Sequence, residues 1–110
     1  MTDFNQLIEQ TKQIQQEFKN RGNNYDKRSR LIDLMEEVGE LAQAIHIVEG
    51  FKRTNDPKKT KSKDDVADAL ADILYEIVLL AQDYDLDLVN EYQQMLSRLE
   101  QRLESGEFGS

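Results

Sequence analysis

Almost nothing in this chain stops a helix. Its 110 residues include one proline and five glycines, and apolar residues recur three and four apart with no alternating Val/Ile/Thr runs. Leu, Gln, Glu, Lys and Ala are abundant and are all good helix formers, so the pattern predicts an all-α domain. One domain is the most this length supports. A first helix is predicted from Asp3 to Lys19, with Phe4, Leu7, Ile8, Thr11, Ile14 and Phe18 on one face. The stretch Asn20 to Asn24, built around Gly22, stops it. A second helix is predicted from Lys27 to Glu49, with Leu31, Leu34, Met35, Val38, Leu41, Ala42 and Ile45 as its apolar face and Gly50 as its stop. The basic stretch Phe51 to Ser62 holds Pro57 and is the one break in composition. A third helix is predicted from an N-cap at Ser62 to about Tyr84. A fourth follows Asp85-Leu86-Asp87 and carries Leu88, Tyr92, Met95, Leu96, Leu99 and Leu103. The domain is expected to span 1–104, with 105–110 a disordered tail.

Composition removes several function classes. There is no cysteine and a single histidine, His46, so a thiolate site or a paired-imidazole zinc site is excluded, and any metal would be held by oxygen ligands. No run approaches the length of a membrane span, and the N-terminus lacks a basic region followed by an apolar one, so a soluble, cytoplasmic protein is expected. The 22 acidic and 14 basic side chains give a formal net charge of −8, which repels phosphate backbones and disfavours nucleic acid as a partner.

The placement of those acids says more than their number. From Asp64 to Ser97 there is no Lys or Arg, although an ordinary solvated helix mixes signs. On the third helix Asp65, Asp68, Asp72 and Glu76 follow one another at spacings of 3, 4 and 4 and so share one arc, while apolar residues cover much of the rest. A helix that apolar is enclosed by neighbours, and its acidic line is expected to run along a groove. Stacked, partly buried carboxylates repel and lose hydration, which a divalent cation relieves; magnesium suits oxygen donors and retained waters. On the second helix Asp33, Glu36, Glu37 and Glu40 share an arc nearly opposite the main apolar face, which taken alone reads as a solvated face. Gly39, a poor helix former in mid-helix, suggests close approach of another backbone or a ligand. Asp83, Asp85 and Asp87 read as solvated or capping residues, and His46 as a surface or core-edge residue.

Leu34-Met35-Glu36-Glu37-Val38-Gly39-Glu40-Leu41-Ala42, followed after a variable loop by Leu70-Ala71-Asp72-Ile73-Leu74-Tyr75, resembles the MazG-like members of the all-α nucleotide pyrophosphohydrolase superfamily, whose hallmark is Glu-Glu-x-x-Glu and then Glu-x-x-Asp. The resemblance covers about Leu31 to Leu88. In one place the chain departs from it: Ala69 stands where the second motif has its glutamate. Asp68, Asp65 or Glu76 could take that role.

The resemblance implies a four-helix, bundle-like fold completed by oligomerisation to a homodimer or homotetramer. It also implies magnesium-dependent hydrolysis of a nucleoside triphosphate, a deoxynucleotide in housecleaning, between the α and β phosphates, with manganese a possible substitute ion. Glu37, Glu40 and Asp72 are then the principal metal ligands, Asp68 a further one, and Glu36 with Glu37 the groups that orient or deprotonate water. Lys52, Arg53, Lys63 and Arg98 are candidates for the distal phosphates. Gln13, Gln16, Asn20, Asn23 and Asn24 offer carboxamides to a base. Two alternatives stand beside this reading. One is a phosphoribosyl-ATP pyrophosphohydrolase, which shares the fold; the other is a helical interaction module with a degenerate site, which Ala69 favours.

Overall fold

The computed structural model describes residues 2–23, 26–50 and 62–106, and among these it contains helices and no strand. The helices are α1 (Phe4–Asn20), α2 (Lys27–Val48), α3 (Lys63–Asp83) and α4 (Leu88–Glu104). Each begins where a short polar side chain meets an unpaired backbone N–H, as helix starts require. Asp3 accepts from the Gln6 N–H at 2.8 Å while the Gln6 carboxamide accepts from the Asp3 N–H at 2.8 Å. Asp26 accepts from the Ser29 N–H at 2.8 Å and Asp87 from the Asn90 N–H at 3.1 Å. At α3 the Asp65 carboxylate accepts from the Ser62 N–H at 2.8 Å, which ties Asp65 to a cap. Helix ends at Gly22 and Gly50 use positive φ, and after α3 Asp85 takes the same left-handed position at φ 54. There the Leu86 N–H donates back to the Ala81 carbonyl at 2.8 Å.

The helices α2 and α3 form an antiparallel pair: Arg30 near the start of α2 meets Asp83 at the end of α3, and Glu37 further along meets the field of Asp72 and Glu76. Helix α1 lies against α3. The buried apolar residues are few and mostly small, namely Ala44, Ala69, Val78, Leu79 and Ala81, and two polar residues, Gln15 and Arg30, are buried with them. The predicted apolar face of α2 is largely turned outward, with Leu31, Met35, Val38 and Ile45 exposed. On α1 the half-buried residues are Phe4, Ile8 and Thr11, in line with buried Gln15, while Leu7, Ile14 and Phe18 are exposed. Residues 90 to 104 of α4 are all exposed. No helix among the described residues is long and apolar enough to cross a membrane.

Candidate active site

The acidic residues that sequence alone would leave in solvent face the neighbouring helix. Arg30, Asp33, Glu37 and Glu40 follow one another at spacings of 3, 4 and 3, which sets them in one row along α2. Asp72, Glu76 and Asp83 on α3 answer that row from the opposite direction.

Glu37 is the centre of the arrangement. It is half-buried, its Oε2 is enclosed without a hydrogen-bond partner, and burial followed by the charges of Glu40, Asp72 and Glu76 pushes its carboxyl above the usual glutamate range. Glu76, one turn beyond Asp72, is also half-buried with an unpartnered Oε2. Its carboxyl is raised by burial and then by Asp33, while the Arg30 guanidinium pulls the other way. Tyr75 is raised by burial and by Glu76. Arg30 itself is 3% exposed, with Nε 2.5 Å from Asp83 Oδ2. Asp83 is therefore an ion-pair partner within the helix pair, in place of the solvated or capping role expected for it; Asp87 does cap.

The other predicted site residues stand as follows. Glu40 and Asp72 are exposed at the mouth of the same row, and their charges reach Glu37. Glu36 and Asp68 are exposed, and the charges named as raising Glu37 are those of Glu40, Asp72 and Glu76. Ala69 is buried at the position of the missing glutamate, so Glu76 is the α3 carboxylate that joins Asp72 in the field of Glu37. Lys63 is exposed in the first turn of α3, roughly 13 Å along the helix axis from Asp72. Arg98 is exposed on α4; Lys52 and Arg53 lie outside the described residues. Gly39 does not mark a close approach within the chain, because a Cβ there would meet nothing within 4 Å.

Whether these residues suit a divalent cation turns on donor chemistry and spacing. Among the described residues no three carboxylates converge as a ready-made ion site. The donor set nevertheless fits a hard cation: all oxygen, with two enclosed oxygens lacking partners, and carboxylates whose mutual repulsion a double positive charge would relieve.

Sequence reasoning missed Arg30 and Gln15. The signal for Arg30 was its position three residues before Asp33 in the acidic row. Gln15 carried a weaker one, since it lies four residues after Thr11 on the flank of the apolar stripe of α1.

The fold is all-α, and its helix pair is lined by opposed carboxylates short of counter-charge, an all-oxygen donor set that suits a hard cation. The chain belongs to the phosphoribosyl-ATP pyrophosphohydrolase family, whose model matches residues 1–101. Membership makes it a pyrophosphohydrolase acting on a nucleotide, and the expected MazG-like likeness is met at the level of the shared helical superfamily. Comparison with curated proteins and with solved structures gives no significant match.

Proposed function

We propose that the protein hydrolyses a nucleoside triphosphate between the α and β phosphates, with magnesium or manganese, to a monophosphate and pyrophosphate. The observation that carries this reading is Glu37: a half-buried carboxylate with an unpartnered oxygen, set among Glu40, Asp72 and Glu76, is a place where a bound cation relieves both burial and repulsion. Glu37, Glu40 and Asp72 would hold the ion, with Glu76 or Asp68 in the role of the family glutamate that Ala69 replaces. When bound, magnesium neutralises phosphate oxygens and lowers the cost of charge on the leaving pyrophosphate.

The residues of the chain do the rest. Glu36 and Glu37 orient a water and accept its proton as the water oxygen bonds to phosphorus and the bridging P–O bond breaks. The electron pair of that bond leaves with pyrophosphate. Lys63 and Arg98, with Lys52 and Arg53 outside the described residues, are the cations proposed to meet the distal phosphates.

Two substrates remain in view within this chemistry. Deoxynucleotide housecleaning in the cytoplasm is one; the family match favours phosphoribosyl-ATP as the other. Incubation with each nucleoside triphosphate, each deoxynucleotide and phosphoribosyl-ATP, with monophosphate and pyrophosphate resolved, decides between them, and rescue of a histidine auxotroph supports the second. Absence of turnover on all of them, or unchanged turnover in Glu40→Gln and Asp72→Asn, would refute the hydrolase. Ala69 favours a non-catalytic helical module instead, and calorimetry without site-specific magnesium or manganese binding would decide for it. We also propose that the working form is a homodimer or homotetramer, supported by the breadth of exposed apolar surface on α2 and α4.

A further inference from the structure

A cavity of about 350 Å³ opens between α1 and the α2–α3 pair, and Glu76 belongs both to it and to the carboxylate row. Its walls have two characters. Phe18 and Leu79 present apolar faces, while Gln15, Asn23 and Tyr75 bring two carboxamides and a phenol. Gln15 is 7% exposed and lines this cavity, and a carboxamide offers two donors and an acceptor to whatever enters it. A phosphate would not be received here: Asp83 already pairs with Arg30, and Asp33 and Glu76 leave the lining negative. What fits is a neutral, flat group with an apolar face and a hydrogen-bonding edge, in a volume within the range of small-ligand sites.

We propose that this cavity takes the nucleobase of the substrate, with the Gln15 carboxamide reading its hydrogen-bonding edge and Phe18 lying against its face. The proposal rests on the nucleotide reading above and adds the residue that sets base preference. Asp72, at the phosphate end, and Glu76, at the cavity, are one helical turn apart, roughly 6 Å along the axis and about the span of a ribose. The carboxamides expected from sequence to meet a base are otherwise placed. Gln16 donates to Asn20 at 3.1 Å, Gln13 is exposed, Asn24 lies outside the described residues, and Asn23 alone of that group lines the cavity.

Two measurements test this. The first follows the Gln15 side-chain amide by NMR while phosphate-free adenosine, guanosine, cytidine and uridine are added to the wild-type protein; at least one is expected to shift it. The second compares hydrolysis of the corresponding triphosphates and phosphoribosyl-ATP by wild type, Gln15→Leu and Gln15→Glu. Gln15→Leu should lower kcat/KM for the preferred base at least about tenfold, mainly through KM, and narrow the spread between bases. Gln15→Glu, which loses both amide donors, should reorder them. A purely structural glutamine would lower stability without changing the ranking. The proposal is overturned if no nucleoside moves the Gln15 amide, or if folded variants keep the wild-type ranking. If nucleosides move the amide but the wild type hydrolyses no nucleotide, the base site stands and the hydrolase reading falls.

Discussion

Glu37 and Glu76 sit half-buried among like charges, each with an oxygen that no donor meets. Both carboxyls hold a proton more readily folded than unfolded, because burial and neighbouring acids raise them. The stability this contributes is complete below the unfolded glutamate value and is lost as pH rises through the raised folded value. Without divalent cations, the melting temperature is therefore expected to rise as pH falls from neutrality toward the ordinary glutamate range. Glu37→Gln together with Glu76→Gln should flatten that slope and raise Tm at neutral pH, while hydrolysis falls by more than the roughly 10–100-fold that loss of an outer-shell partner costs. A wild-type slope in the double variant would show that the strain lies elsewhere. Asp26 acts in the opposite sense, since its carboxyl is lowered chiefly by the Ser29 N–H, and its contribution disappears only in more acid solution. Arg30 and Asp83 form a third case. Arg30→Met strands a largely buried carboxylate and should cost about 3 kcal/mol in urea unfolding, the lower end for a broken buried pair. Adding Asp83→Leu should recover much of that loss, because two apolar side chains pack without desolvating charge.

At the scale of the helix, Gly39 gives a clean test. It lies inside α2 and is exposed, its φ is not positive, and a Cβ would meet nothing within 4 Å. Gly39→Ala should stabilise the protein by about 1 kcal/mol through helix propensity, read as a rise in Tm; a fall would mean that a ligand or a second copy comes against that surface. The four helices were legible in the sequence because their causes are local. Asp3 and Asp87 stand immediately before the apolar pattern and cap their helices through their carboxylates, Ser62 takes the N-cap position of α3 with its N–H donating to Asp65, and Gly22 and Gly50 stand just after α1 and α2. Which way each helix faces was not legible. Periodicity marks an apolar stripe without saying what covers it, so Leu31, Met35 and Val38 read as core although α2 turns its acidic row toward α3 instead. For the same reason the Glu37 row read as solvent-facing, and Gln15, on the flank of a stripe, gave little sign of being buried. The Glu-Glu-x-x-Glu spacing singles out Glu37 and Glu40 as candidates. That Glu76 enters the field of Glu37 depends on the register of α2 against α3, which no single helix encodes.

At the scale of the whole molecule, the single chain is more open than a compact monomer of its length, which supports the proposed oligomer. It has a radius of gyration of 17.9 Å, whereas a compact chain of this length has about 13 Å. It exposes 8832 Å², against roughly 6300 Å² for a compact monomer of its mass. The excess of about 2500 Å² per chain, about 5000 Å² for a pair, lies at the upper end of what obligate homodimers bury. Its composition fits as well, since α4 exposes Tyr92, Met95, Leu96, Leu99 and Leu103 in one stripe, and α2 exposes Leu31, Met35 and Val38. A second copy would cover both stripes if they face each other across a two-fold axis, and a closed symmetric pair would leave no surface that propagates. The protein should therefore sediment as a dimer or a dimer of dimers at micromolar concentration, with a Tm that rises with concentration. Leu96→Glu combined with Leu99→Glu, far from the carboxylate row, should shift the mass toward one chain and lower Tm. A wild-type monomer with a concentration-independent Tm would mean that the exposed stripes serve some other partner. Activity follows the same logic. If the pair also steadies the α2–α3 carboxylates, the interface variant should lose turnover in proportion to its monomer fraction and regain it as protein concentration rises, whereas Glu40→Gln should stay inactive at every concentration.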